Sequence, residues 1–207
     1  MVYRLMHYNS SNDTIIPRNV KLLASSNIYF ELDAASEVWH ILRATGICED
    51  AEIVFIRKGK WWLRGLFGVI FRGDVIKSMP IIRAYIQKKP WILEYTHRII
   101  PVELITNDIN ELKEFVIKKA EERISENSRW MIRVSKHDTK LKRRKVIEEV
   151  AKGINIGEVD LEKPDWVINI EIIRNTFAAA VIPPNFIIQR KEFKERLKKL
   201  SLSTKEI

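Results

Sequence analysis

Residues 129–145 have the sequence R-W-M-I-R-V-S-K-H-D-T-K-L-K-R-R-K. The stretch begins as a β-strand, because Trp130, Ile132 and Val134 form one apolar face and the residues between them form a mixed face. A turn at residues 137–139 follows, and a helix is predicted after it. The first turn of that helix is basic and contains Lys140, Lys142, Arg143, Arg144 and Lys145.

Positive charge is concentrated in this stretch, which carries eight Lys or Arg residues and one acid, Asp138. Cations in a first helical turn oppose the partial positive charge of the helix N-terminus, so the arrangement is locally unfavourable. Positive charge gathered at such a place predicts an anion site, and phosphate is the obvious anion. A solvated charged turn is the alternative interpretation.

The part of the chain before this stretch predicts the element order β-α-β-β-α-β. The predicted elements are one broken strand or two short ones within residues 20–32, a helix capped by Asp33, a hairpin over residues 51–71, a helix that becomes regular near Ser78, and a strand from Trp91 to Leu104 that is interrupted at Pro101. The second helix contains Pro80, which is tolerated in a first turn and disfavoured later. This order describes a ferredoxin-like split βαβ unit.

The second half of the chain predicts the order α-β-α-β-β. Asp108 caps the first helix of this half. The strand and basic helix of residues 129–145 follow, and the apolar runs Trp166–Ile173 and Thr176–Ile182 predict two paired strands. The alternating pattern places Trp130 and Trp166 in the core, and stacking on RNA bases is the alternative for both.

The fold class is therefore α+β. Four segments are expected: a flexible arm at residues 1–18, a ferredoxin-like domain at 19–104, an α/β domain at 105–185, and a basic C-terminal helix at 186–207. Phe193, Leu197 and Leu200 form a narrow apolar stripe on that last helix. The helix is expected to dock on its own domain, with a membrane surface or a partner protein as the alternative.

Composition favours an anionic partner for this chain of 207 residues. The net charge is +9 and the isoelectric point is near 9.6, which suits nucleic acid or a membrane surface. No apolar run approaches the length of about 20 residues that spans a bilayer, and the start of the chain lacks the pattern of a signal peptide. The single cysteine, Cys48, suits a reducing compartment, so a cytoplasmic location is expected.

Catalytic, metal and cofactor motifs are not found in the sequence. The four histidines are scattered without ligand spacing, and no glycine-rich phosphate loop or nucleophile motif is present. The pair His137-Asp138, next to the basic run, is the one suggestive cluster, and a hydrogen-bonded turn is the preferred role over catalysis. A binding protein that is not an enzyme, with no cofactor and no metal, is expected.

A series of short motifs resembles the THUMP domain. The motifs, in chain order, are His97-Arg98-Ile99-Ile100-Pro101-Val102, the Asn107-Asp108 helix cap, Arg133-Val134-Ser135-Lys136, the basic helix start, Val159-Asp160-Leu161, Pro164-Asp165 and the I-N-I-E-I run of residues 168–172. Over about residues 20–185 the chain resembles the stand-alone THUMP proteins related to the adaptor of the tRNA cytidine acetyltransferase. This resemblance implies a ferredoxin-like domain followed by a THUMP-like domain.

The resemblance also implies tRNA binding, at the acceptor stem and its 3′ end, for presentation to a modifying enzyme. The candidate RNA-binding residues, counting the whole basic run and the domain junction, are Arg98, Arg133, Lys136, Lys140, Lys142, Arg143, Arg144 and Lys145. THUMP domains are often fused to a catalytic module, and no segment after Ile182 is long enough to be one. Chemistry is therefore expected from a partner enzyme, with an acetyltransferase suspected.

Two functional hypotheses follow. The first is a tRNA-binding adaptor. The second is a protein–protein or membrane-surface module that acts through the C-terminal helix and binds nucleic acid only incidentally. Deletion of that helix and charge reversal at Arg143 and Arg144 would separate the two.

Overall fold

The computed structural model describes residues 2–4, 15–58 and 61–195, and the chain divides into two compact units. In the described part, the first unit contains residues 2–4, 21–58, 61–101 and 186–195, and the second contains residues 15–20 and 102–185. Each unit has its own sheet and its own core.

The first unit is built on a six-stranded sheet. Its elements up to residue 101 are β1 (Val2–Arg4), β2 (Leu22–Ser26), α1 (Glu31–Ala44), β3 (Glu52–Lys58), β4 (Trp61–Ile70), α2 (Val75–Lys88) and β5 (Thr96–Pro101). The central strands have the order β3-β4-β2-β5, with β1 parallel to β3 at one edge. The elements β2 to β5 with α1 and α2 confirm the predicted β-α-β-β-α-β order of a ferredoxin-like fold.

The second unit has a five-stranded sheet. Its elements are β6 (Leu104–Thr106), α3 (Ile109–Arg123), β7 (Arg129–His137), α4 (Arg143–Ala151), β8 (Glu158–Val159), β9 (Trp166–Ile173) and β10 (Thr176–Ile182). The strand order is β6-β10-β9-β7-β8, in which β7 and β9 are parallel and β9 and β10 are antiparallel. The predicted α-β-α-β-β order is confirmed, with β6 and β8 as short additional strands.

The two helices of the second unit pack on one face of its sheet. The apolar side chains that meet there include Leu112, Val116, Val146, Val150, Ile168, Ile170 and Ile172. Trp130 belongs to the same core, with 4% of its surface exposed, and its indole N–H donates to the Ile156 carbonyl oxygen at 2.7 Å. Core packing, and not base stacking, is therefore the role of Trp130.

The start of α1 differs from the prediction. Asp33 was expected to cap this helix, but the helix begins at Glu31, and Phe30 at the cap position makes no side-chain hydrogen bond. The Glu31 carboxylate accepts the Gly65 N–H at 2.7 Å, which holds the first turn against β4. The apolar residues before it were predicted as strand, yet Ile28 and Tyr29 lie in an exposed turn.

The helix α2 begins earlier than predicted, at Val75 and not near Ser78. Asp74 is its N-cap, and one carboxylate oxygen accepts the N–H groups of Ile76 and Lys77 at 2.8 and 3.2 Å. This cap stabilises the first turn, and Pro80 is accommodated inside the helix.

The strand predicted from Trp91 to Leu104, with its interruption at Pro101, is wrong over residues 91–95. Residues Pro90–Ile92 form a 3₁₀ turn, and the ladder of β5 begins only at Thr96. The reason is Glu37, whose carboxylate accepts the backbone N–H groups of residues 94, 95 and 96 at 2.8–2.9 Å. The N–H groups of residues 94 and 95 are then not available to a strand ladder. Strand β6 joins the sheet of the second unit.

The last described residues of the chain, 186–195, belong to the first unit. Strand β11 (Ile188–Gln189) pairs with β5, and residues 190–195 are helical. Phe193 is 1% exposed and belongs to the core of this unit, which confirms docking on its own domain for this part of the helix. Leu197 and Leu200 lie outside the described residues, as do residues 5–14 of the predicted arm. No helix in the described part of the chain is long and apolar enough to cross a membrane.

Two glycines with the same backbone conformation test how tightly the second unit is packed. Gly157 has φ +68°, and a Cβ there would lie 2.5 Å from the Ser128 carbonyl oxygen, whereas Gly46 has φ +69° and open space around it. We expect Gly46→Ala to lower the free energy of unfolding by about 1 kcal/mol and Gly157→Ala by at least about twice as much. Urea unfolding of both variants measures this, and equal losses would show that the Ser128 loop can move away.

Candidate nucleic-acid interface

The connection from β7 to α4 lies at one edge of the second sheet. Because β7 and β9 are parallel, their last residues, His137 and Ile173, are register partners and end at the same edge. The Arg174 N–H donates to the His137 carbonyl oxygen at 2.9 Å, which joins the two turns. Asp138 and Arg174 both have a positive φ, and their side chains approach to 4.0 Å. The loop before α4 is thereby fixed at its first residue.

The start of α4 has no cap from a side chain. Lys142 occupies the N-cap position without a side-chain hydrogen bond, and the first turn contains no acid. In α3 the same position is Asp108, whose carboxylate accepts the Asn110 N–H at 2.8 Å. The N-terminal N–H groups of α4 therefore lack the acceptor that a capping residue normally supplies.

The predicted basic helix starts later than expected. It begins at Arg143, so Lys140 and Lys142 lie in the loop before it and not in its first turn. The Thr139 hydroxyl oxygen accepts the Leu141 N–H at 3.2 Å, and this local bond competes with helix formation. The basic residues are still close together in the chain, now on a loop and the helix turn that follows it.

Most of the predicted site residues form one exposed group, which we call the basic cluster. It consists of Lys136, Lys140, Lys142, Arg143, Arg144 and Lys145, all exposed to solvent. Arg144 forms an ion pair with Glu148 at 2.7 Å, but its side chain remains 91% exposed. In the described part of the chain, no acid forms an ion pair with Lys140, Lys142 or Arg143.

Apart from Glu148, which pairs with Arg144, the acids nearest the basic cluster in the sequence have partners outside it. Glu149 is bonded to Lys152 at 2.9 Å and approaches Lys113 at 3.8 Å. Its pKa is lowered, first by the hydrogen bond from Lys152 and then by nearby lysines that include Lys145. Asp138 lies near Arg174, as described above. The cluster therefore keeps an uncompensated positive charge, which favours an anionic ligand.

Two predicted residues are not members of the basic cluster. Arg133 pairs in register with Asn169, on the sheet face opposite the helices, and is half-buried. Arg98 belongs to β5 of the first unit and is also half-buried. The sequence run suggested one patch that contained Arg133, but alternation along β7 turns its side chain to the other face of the sheet.

A groove adjoins the basic cluster. Its volume is about 550 Å³, and it is lined by Asn107, Asp108, Ile109, Thr139, Lys140, Leu141, Arg174, Asn175 and Phe177. Three of these residues are apolar, and amide and cationic groups lie beside them. Sequence reasoning missed the groove because its walls come from three separate segments. The local signals of it were separate: the predicted Asn107-Asp108 cap, the turn predicted at residues 137–139, and the gap between the two predicted strands at Arg174-Asn175.

His137 is tied to a buried carboxylate. Its Nε2 lies 2.9 Å from Oε2 of Glu171, which is 1% exposed, and the Asn169 side-chain amide donates to Oε1 at 3.2 Å. The contact between His137 and Glu171 links β7 to β9, and the bond from Asn169 lies within β9. The expected hydrogen-bonded role of His137 is met by Glu171 on the neighbouring strand. Among the described residues no group of acids, histidines and cysteine could hold a metal ion.

Comparison with protein families identifies the second unit. Residues 106–179 match the family model of the THUMP domain, a span that runs from the end of β6 into β10 and includes the basic cluster. The chain therefore contains a THUMP domain. No curated protein gives a significant match.

Solved structures resemble the chain at low identity. PH1313 from Pyrococcus horikoshii Ot3 is 16% identical, with 79% of this chain and 55% of that chain covered and a TM-score of 0.51, which shows a shared fold. A 4-thiouridine synthetase in complex with RNA and ATP is 11% identical (82% and 42% covered, TM-score 0.47). TrmN from Thermus thermophilus is 13% identical (77% and 44% covered, TM-score 0.46). The chain spans about half the length of these structures.

The missing cap of α4 predicts that a capping carboxylate would stabilise the protein. Lys142→Asp supplies a capping carboxylate and removes a cation from the helix N-terminus, so we expect the free energy of unfolding to rise by about 1 kcal/mol. The matched control is Asp108→Ala in α3, which removes an existing cap and should lower the stability by about 1 kcal/mol. Urea unfolding measures both. No gain from Lys142→Asp would mean that the N–H groups of α4 already have acceptors.

Proposed function

We propose that this chain is a non-catalytic tRNA-binding protein that presents the acceptor stem and 3′ end of tRNA to a modifying enzyme such as a tRNA cytidine acetyltransferase. The observation that carries the proposal is the basic cluster, which lies on the uncapped start of α4 within a THUMP domain. Exposed cations without ion-pair partners and helix N–H groups without a side-chain cap favour the same ligand, a phosphate.

The chemistry of the basic cluster suits an RNA backbone better than it suits a base sequence. Lysine and arginine contact phosphate oxygens, and such contacts position a nucleic acid without reading its bases. Double-helical RNA is recognised mostly through its shape, its phosphates and its 2′-hydroxyl groups. The proposed binding is therefore tolerant of stem sequence and sensitive to salt, with a salt slope of roughly 0.7–0.9 per phosphate contacted.

The groove beside the basic cluster suits an unpaired end. Leu141, with 39% of its surface exposed, offers apolar surface, and Asn175 offers a donor and an acceptor. Single-stranded nucleotides are recognised by such surfaces, because their bases are free to stack and to form hydrogen bonds. A duplex end held by the cations with its single-stranded extension in the groove accounts for both features, and it supports the acceptor stem as the target.

The adaptor role assigns the chemistry to a second protein. The sequence offers no arrangement of nucleophile, base and metal ligand, so the proposed function of this chain is to bind tRNA and a modifying enzyme together. The competing hypothesis used the C-terminal helix as a free amphipathic surface. Phe193 of that helix is buried in the core of the first unit, and Glu192 forms an ion pair with Arg83 at 2.8 Å. The described part of the helix is therefore packed on the protein itself, which favours the adaptor hypothesis.

Charge reversal in the basic cluster tests RNA binding. We expect Arg143→Glu/Arg144→Glu to weaken tRNA binding at least about tenfold and to reduce the salt slope by about 1.4–1.8, because two phosphate contacts become repulsive. The fold should persist, since the pair between Arg144 and Glu148 is exposed and contributes at most about 1 kcal/mol. Filter binding or fluorescence anisotropy at several salt concentrations measures both quantities.

The matched control is Lys118→Glu/Lys163→Glu, which makes the same change of net charge at exposed positions outside the cluster. Its affinity should stay within about threefold of the wild type, because distant charges act only through a screened field. A parallel titration uses tRNA without the 3′ CCA, which should bind more weakly if the groove holds that end. Unchanged affinity of the Arg143/Arg144 variant would remove the basis of the proposal.

A further inference from the structure

The first unit contains a second cationic site. A cavity of about 460 Å³ is lined by Ser25, His97, Arg98, Gln189, Arg190, Lys191 and Lys194. Four of these residues are lysine or arginine and none is acidic. Clefts lined by one sign of charge focus the electrostatic field and concentrate ions of the opposite sign.

Strand pairing builds the floor of this cavity. Ser25 on β2 and Gln189 on β11 are both register partners of Arg98 on β5, so the three residues lie side by side across adjacent strands. The chain becomes helical at residue 190, directly after β11, and this short segment adds Arg190, Lys191 and Lys194. The cavity therefore depends on the last described residues of the chain, 188–195.

Packing fixes the segment that carries these cations. Phe193 is buried in the core of the first unit, and the Arg83 guanidinium lies 5.5 Å from the centre of its ring. The same arginine forms an ion pair with Glu192 at 2.8 Å. Glu192 is thus held by α2 and does not line the cavity.

Two further observations indicate an unsatisfied positive field. The pKa of His97 is lowered by burial and then by the charges of Arg190 and Lys194. Among the described residues, Nε of Arg190 is buried and has no hydrogen-bond partner. A buried donor without an acceptor is unfavourable, and a bound anion would supply one.

We propose that this cavity binds a phosphate monoester, and that in the bound complex this group is the 5′-terminal phosphate of the RNA. A monoester carries a charge of about −1.5 to −2 near neutral pH and three acceptor oxygens, which matches several convergent donors. An internal phosphodiester carries a single charge, and its chain continues in both directions.

This inference rests on the proposed function, because the 5′ phosphate of a tRNA lies at the end of the same stem that carries the 3′ end. It also gives Arg98 a role separate from the basic cluster. The resemblance implied that Arg98 contacts RNA, and the cavity supplies the chemistry of such a contact. The same phosphate chemistry is present in a free nucleoside monophosphate, so the test must separate these two sources.

The experiment compares two forms of one tRNA, with a 5′-monophosphate and with a 5′-hydroxyl. For the wild-type chain we expect removal of the phosphate to weaken binding about tenfold. For Lys191→Gln/Lys194→Gln, both of whose lysines are exposed, the two RNAs should bind with equal affinity. The matched control Lys77→Gln/Lys88→Gln removes two exposed cations from α2 and should keep the full preference.

A second measurement follows the His97 imidazole by NMR during a pH titration. Binding of the monophosphate tRNA should raise the pKa of His97, because the bound anion offsets the charges of Arg190 and Lys194. Binding of the 5′-hydroxyl tRNA should leave the pKa of His97 lowered. Adenosine monophosphate alone is the comparison for the free ligand. A rise with this nucleotide but no 5′ preference in tRNA binding would overturn the assignment to an RNA terminus.

The outcomes distinguish this inference from the proposed function. Equal and tight binding of both RNAs to the wild-type chain would overturn the 5′-phosphate site and leave the tRNA-binding proposal in place. Binding of neither RNA would overturn the proposed function itself. A loss of affinity in Lys191→Gln/Lys194→Gln that is the same for both RNAs would assign these cations to internal phosphates, and would also overturn the inference.

Discussion

The parallel pairing of β7 with β9 is the constraint on which the candidate interface depends. It brings the ends of both strands to one edge of the sheet, where the Arg174 N–H donates to the His137 carbonyl oxygen. The loop before α4 must then leave the sheet beside the 174–175 turn. The buried Glu171, held by His137 and Asn169, reinforces the same pairing from inside. The position of the cations is therefore a consequence of how the sheet is assembled.

The electrostatics of α4 oppose helix stability. Its N-cap is a lysine, its first turn is basic, and no side chain caps it, whereas α2 and α3 are each capped by an aspartate. The helix forms because Val146 and Val150 are buried in the core of the second unit, so packing offsets the unfavourable end. Natural sequences accept such local conflicts at functional sites, and a bound phosphate would remove this one. The tRNA-binding proposal therefore explains why the first turn of α4 is basic and has no capping side chain.

Prediction from the sequence succeeded where periodicity is strong and failed where side chains bind the backbone. The element orders of both units followed from apolar alternation in runs such as residues 129–134 and 166–173. The strand expected from Trp91 was wrong because Glu37, more than fifty residues away in the sequence, takes up its N–H groups. Most of the basic cluster could be predicted because it is contiguous in sequence. The groove, and the cavity completed by residues 188–195, could not, since strand pairing brings their walls together from distant segments.

The central claim is that phosphate oxygens bind the uncapped start of α4. The most direct measurement is the hydrogen exchange and NMR chemical shift of the backbone N–H groups of residues 143–145, with and without tRNA. We expect these amides to become protected and to shift on binding, while the already bonded Ile76 N–H at the start of α2, which lines neither the groove nor the cavity, changes little. Tight tRNA binding that leaves the amides of residues 143–145 unchanged would contradict it.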